Sequence, residues 1–122
     1  MKHSPGFLKL VSAARKKIKE TTVARVKAGF REGRHLLVID VREDHEWDDS
    51  HIAGALHFGR GILERDIEKA IPNKDTEIVL YCGGGFRSAL SAESLMQMGY
   101  RNVHSLRGGW KAWKRSKGSI ER

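Results

Sequence analysis

At 122 residues, with 39% hydrophobic content, the chain has the size and apolar fraction of one compact domain and is too short for two. Mean hydropathy is −0.50, no apolar run approaches the ~20 residues of a membrane-spanning helix, and a single cysteine excludes an internal disulfide, which makes the cytoplasm the default compartment. The net charge of +8 invites a nucleic-acid reading, but residues 1–34 hold ten basic residues against two acids while residues 35–122 are neutral, so the body of the domain is not a basic surface.

Ser4 and Pro5 read as the N-cap and first position of a helix. Phe7, Val11, Ala14 and Ile18 then recur at helical spacing. Lys9 breaks the apolar stretch from Phe7 to Ala14, which therefore does not read as a secretory signal. Thr21 and Thr22 interrupt the stripe, and a second short helix is expected over Val23 to Phe30. Leu36 to Ile39 and Ile78 to Tyr81 are short continuous apolar runs, as central parallel strands covered on both faces require. Val103 to Leu106 is a weaker third strand and Ala55 to Phe58 a short fourth. Helical patterns run from Ile62 to Ala70, from Ser88 to Met98 before Gly99, and from Trp110 to Lys117. The acidic cluster Glu43, Asp44, Glu46, Asp48 and Asp49 reads as a solvated helix. Strands alternating with helices predict an α/β domain with a mainly parallel central sheet flanked by helices, preceded by a basic amphipathic N-terminal helix. The expected division is an extension over 1–20, the domain over 21–117 and a tail over 118–122.

The chemistry concentrates in Tyr81-Cys82-Gly83-Gly84-Gly85-Phe86-Arg87-Ser88. A buried strand ends, the cysteine follows at once, and three glycines lead into a helix. Ligands of open α/β sheets bind at the carboxyl ends of strands, where Cys82 falls. Consecutive glycines let backbone N–H groups converge into an anion cradle, the helix adds the positive end of its dipole, and Arg87 adds a full charge. Ser88 is placed to cap that helix or to donate to a bound anion. Such surroundings stabilise a thiolate and make Cys82 a nucleophile at neutral pH. A lone cysteine is often no more than a small core residue, but three glycines after a buried strand serve no packing purpose.

Four blocks in order make the stretch from Thr21 to Trp113 resemble a rhodanese-homology domain. They are Leu37-Val38-Ile39-Asp40-Val41-Arg42-Glu43 with Glu46, then His51-Ile52-Ala53-Gly54-Ala55, the loop Cys82 to Arg87, and Leu106-Arg107-Gly108-Gly109-Trp110 with Trp113. The resemblance implies a three-layer fold and a sulfurtransferase cycle in which Cys82 takes sulfur from a donor such as thiosulfate and passes it, as a persulfide, to cyanide, a thiol or a protein cysteine. It implies that Gly83, Gly84, Gly85, Phe86, Arg87 and Ser88 hold the charged species, and that Asp40 and Arg42 support the loop. No metal or cofactor is implied. Four residues lie between Cys82 and Arg87, as in the sulfur-handling members; the related phosphatases and arsenate reductases carry one more, so phosphatase activity is disfavoured. Ser50 stands where the family usually has glycine, and Phe86 leaves the loop with no charge besides Arg87. That less basic rim favours a protein or low-molecular-weight persulfide donor over free thiosulfate.

A second reading is a persulfide carrier or redox-sensing interaction module with little activity on free thiosulfate. With no second cysteine, release of sulfur from Cys82 needs an external thiol. Nucleic-acid binding by residues 1–34 ranks third, having neither aromatic interleaving nor a known motif. The basic helix docks on the domain, meets an acidic partner, or lies on an anionic membrane surface; the first is the expectation and membrane association is not favoured. Its nineteen residues without an acid before Glu20 also have the character of a mitochondrial transit peptide, but the stretch is Lys-rich and the cytoplasmic reading is preferred. The histidines, six in number, show no metal-ligand spacing. Trp110 and Trp113, three apart on a helix, read as core.

Overall fold

The computed structural model describes residues 2–122. In chain order its elements are α1 (Pro5–Arg15), β1 (Lys19–Thr21), α2 (Val23–Arg31), β2 (Leu36–Asp40), α3 (Asp44–Asp49), β3 (His51–Ile52) and β4 (Leu56–His57). There follow α4 (Arg60–Ala70), β5 (Glu77–Tyr81), α5 (Arg87–Gln97), β6 (Val103–Leu106), α6 (Gly109–Arg115) and β7 (Ile120–Glu121). Five strands form one sheet in the order β1-β6-β5-β2-β4, and every neighbouring pair is parallel. β3 and β7 make a separate antiparallel pair.

The two central strands are covered on both faces, and side chains alternate between them as the strand period demands. Ile78, Leu80 and Cys82 point into a cluster with Leu63 and Ile67 of α4 and Ala92 and Leu95 of α5. Val79 and Tyr81 point the other way, toward Val26 of α2 and Trp110 and Trp113 of α6. The sheet is thus sandwiched between two helical layers, as α/β architecture requires. α1 adds a patch on the outer side of α5, where Val11 and Ala14 bury against Ala89 and Leu90.

Two segments differ from the sequence expectation. The helical stripe stops at Arg15, and Lys19–Thr21 enters the sheet as its edge strand, in register with His104, Ser105 and Leu106. An edge strand paired on one side carries no continuous apolar run, so Lys19-Glu20-Thr21 gave no strand signal. Ile120–Glu121, in the segment read as a tail, pairs with His51–Ile52, and Glu121 also accepts the Gly54 N–H.

Parallel pairing sets the site. Since all five strands run the same way, Val41-Arg42 after β2, Cys82 after β5 and Arg107-Gly108 after β6 emerge at one edge of the sheet. Asp40 pairs in register with Tyr81, which fixes the first of these segments beside the second.

Candidate active site

Cys82 follows β5 directly and is buried, with 1% of its surface exposed. The chain from Gly83 to Phe86 curls around its sulfur and leads into α5. The N–H of Gly85 donates to Sγ at 3.2 Å and that of Ser88 at 3.4 Å. Both donors, together with the amino end of α5, place positive potential at the sulfur. Gly85 adopts φ +96° so that its N–H faces inward, a conformation L side chains rarely take.

The loop is fastened from behind by the start of α6. Trp110 N–H donates to the Cys82 carbonyl at 2.8 Å and Lys111 N–H to the Gly83 carbonyl at 3.1 Å. Gly109, at φ +52°, lies so close to Cys82 and Gly83 that a β-carbon there would collide with their backbone. The fourth sequence block is therefore the clamp on the loop.

Arg87 lies against Gly83 and donates to Glu46 of α3, Nη1 to Oε1 at 2.9 Å. Glu46 also accepts the Glu43 N–H at 3.0 Å, closing a capping box at the start of α3. The hydrogen bond from Arg87 holds Glu46 below the ordinary carboxylate range. The acidic cluster is thus helical, as expected, but one of its members orients the loop arginine. Glu46 stood in the first of the four sequence blocks; nothing local marked its partner.

Ser88 neither caps α5 nor faces a cavity. It is fully buried, its hydroxyl shares a 2.8 Å hydrogen bond with Ser105 of β6, and it accepts a weak one from the Cys82 thiol at 3.5 Å. Asp40 and Arg42 form a buried pair behind the loop. The Arg42 guanidinium gives the Asp40 carboxylate hydrogen bonds of 2.8–3.0 Å, donates to the Ser50 carbonyl at 2.7 Å, and lies 4.7 Å from the Trp110 ring centre. Ser50 itself has extended backbone, a conformation that does not call for glycine. Behind the same edge, Ile52 N–H donates to the Tyr81 hydroxyl at 3.0 Å, and burial pushes that phenol well above its usual range.

Cys82, Gly83, Gly84, Phe86 and Arg87 open onto a cavity of about 550 Å³ whose other walls are Glu46, Lys111, His3 and Phe7. The last two come from the N-terminal segment, so that segment flanks the loop. A cavity of about 570 Å³ between α2 and the sheet shares no residue with this one and has no cysteine in its lining.

Residues 22–116 match the family model described as rhodanese-like domain. The thiosulfate sulfurtransferase GlpE of Coxiella burnetii is 36% identical over 81 residues, which cover 66% of this chain and 74% of that protein. A protein of unknown function from Rhodopseudomonas palustris, described as a possible tyrosine phosphatase, superposes with a TM-score of 0.87 at 30% identity, covering 99% of this chain and 98% of the other. The solution structure of a rhodanese-like domain from an Anabaena protein gives a TM-score of 0.77 at 26% identity, covering 84% and 77%.

Proposed function

The chain belongs to the rhodanese-like domain family, and on that premise we propose that it is a sulfurtransferase that carries sulfane sulfur on Cys82 as a persulfide. The observation that carries this reading is the position of Sγ: it receives two backbone N–H groups at the mouth of a helix and faces a cavity large enough for a donor. With thiosulfate, the Cys82 thiolate attacks the outer sulfur. A sulfur–sulfur bond forms to Cys82, the donor's own sulfur–sulfur bond breaks, and sulfite leaves with the electron pair. A thiophilic acceptor (cyanide, a small thiol or a protein cysteine) then attacks the outer sulfur of the persulfide and releases the thiolate. Gly85, Ser88 and the amino end of α5 stabilise the anion in both steps without reorganising, because their donors are fixed in advance. Arg87 adds a positive charge beside Gly83, held in place by Glu46.

No metal or cofactor enters this cycle. The single cysteine leaves release to an external nucleophile and suits a reducing compartment such as the cytoplasm. Among the described residues no helix is long and apolar enough to cross a membrane. Phosphate-ester hydrolysis, the activity suggested for the Rhodopseudomonas protein, fits less well, because four residues lie between Cys82 and Arg87, one fewer than in the related phosphatases. Thiocyanate formation from thiosulfate and cyanide tests the proposal. Turnover by the wild type that disappears in Cys82→Ser supports it; turnover retained in that variant would refute it, and hydrolysis of p-nitrophenyl phosphate in its place would favour the phosphatase.

A further inference from the structure

His3 and Phe7 stand over the Cys82 loop although the segment that carries them lies outside the matched family region, which begins at residue 22. Their rings close on Phe86: the His3 and Phe86 centroids are 4.4 Å apart, Phe7 and Phe86 6.2 Å, and His3 and Phe7 5.2 Å. These are the tilted separations at which aromatic rings attract one another. The segment is anchored rather than laid across the surface. Val11 and Ala14 are 1% and 0% exposed against α5. Arg15 donates from Nη2 to the Gly85 carbonyl at 3.2 Å, and its guanidinium carbon sits 4.8 Å from the Phe86 ring centre. The cavity over Cys82 therefore has an aromatic wall on one side, while Lys111 contributes an ammonium to its lining and Arg87 is paired with Glu46.

Thiosulfate uses little of this. It is a small dianion without apolar surface, and placing it against three rings removes part of its hydration without return. A donor with a planar apolar body gains from the same rings, both by area removed from water and by ring contact. We propose that α1 and the residues preceding it form a specificity wall, and that the cavity selects an organic sulfane-sulfur donor with an aromatic anion as leaving group, of the aryl thiosulfonate class. This rests on Cys82 being the sulfur-bearing nucleophile. The Cys82 thiolate attacks the terminal sulfur of the donor and forms a sulfur–sulfur bond. The bond between that sulfur and the sulfonyl sulfur breaks, and the aryl sulfinate departs with the electron pair. No proton, oxidant or reductant is consumed.

The test compares benzenethiosulfonate with methanethiosulfonate, two donors with the same reacting group and only one with a ring, using cyanide as acceptor. The wild type is expected to show a kcat/KM ratio favouring the aryl donor by about tenfold. Phe7→Leu, which keeps an apolar filler for α1 while removing the ring, and His3→Ala are each expected to lower that ratio about 2- to 10-fold. A melting temperature near that of the wild type verifies that α1 stays docked in both variants. A wild-type ratio near one, or a ratio that neither variant moves, overturns the inference while leaving sulfur transfer by Cys82 intact. If neither thiosulfonate adds sulfur by intact mass while thiosulfate or a small persulfide does, this inference falls alone; if none of these donors adds sulfur, the sulfurtransferase reading falls and takes this inference with it.

Discussion

Replacing Arg42 by methionine separates the work of its charge from that of its stem, because methionine keeps much of the volume and loses the guanidinium. Asp40 and the Arg42 side chain are 0% and 4% exposed, so solvent screens the pair very little. Without the guanidinium, the Asp40 carboxylate keeps the backbone N–H of residue 42, at 2.8 Å, and loses the Arg42 side-chain donors at 2.8–3.0 Å. The Ser50 carbonyl loses its 2.7 Å partner as well. Leaving one member of a buried ion pair unpaired costs about 3–5 kcal/mol, a large share of the ~5–15 kcal/mol that holds a domain together. Arg42→Met is therefore expected to lower the unfolding free energy by about 3–5 kcal/mol, read as a fall in urea midpoint at unchanged slope. Adding Asp40→Asn, which removes the stranded charge and keeps a carbonyl for the same backbone N–H, is expected to restore more than half of the loss. Activity of the folded fraction should fall too, since the guanidinium lies over Trp110, whose N–H holds the Cys82 carbonyl. A loss below about 1 kcal/mol, the scale of an exposed pair, or a double variant no more stable than the single one, would refute this reasoning.

Three further outcomes are expected. Gly109→Ala would push a β-carbon into the Cys82–Gly83 backbone at a positive φ; sulfur transfer should drop by about 100-fold, as for a reacting atom misplaced by ~1 Å, while circular dichroism stays native, and an active variant would show that the clamp does not set the loop. Glu46→Gln should reduce kcat/KM several-fold by loosening Arg87. In the wild type Glu46 titrates below the ordinary carboxylate range, so the pair's contribution is fully present above about pH 4.5 and is lost only as pH falls through that lower value; a loss between pH 7 and 5 that Glu46→Gln abolishes would contradict it. His104 is held below the usual histidine range, first by burial and then by the Lys19 ammonium. The unfolded chain therefore binds that proton more readily, and the folded state loses stability as pH falls below about 6.5; His104→Gln should melt with less dependence on pH between 7.5 and 5.5, and an unchanged dependence would exclude His104 as a source.

The fold was legible where burial leaves a continuous signature. Leu36 to Ile39 and Ile78 to Tyr81 are covered on both faces, so every residue is apolar, and their strands extend by only one residue beyond those runs. The loop from Cys82 to Arg87 was legible because its constraints are local: a strand end, glycines for the turn and a helix start. Lys19–Thr21 and Ile120–Glu121 were not, since each pairs along one edge and needs no apolar pattern. Long-range partners were equally hidden. Glu46 reaches Arg87 across 41 residues, Ser88 meets Ser105 across 17, and Arg15 meets Gly85 across 70. Only the folded chain brings those pairs together, and no spacing within either member of a pair announces the other. Phe7 carried a helical stripe in the sequence, and that stripe gave no sign that its first ring would border the cysteine's cavity.

Sulfur transfer through Cys82 is tested most directly by weighing the intact protein after exposure to thiosulfate, benzenethiosulfonate or a small persulfide and removal of the excess. A gain of one sulfur atom is predicted, absent in Cys82→Ala and discharged by cyanide with an equal amount of thiocyanate formed. An unchanged mass with all three donors, in a protein whose Cys82 is still alkylated readily at neutral pH, would contradict it.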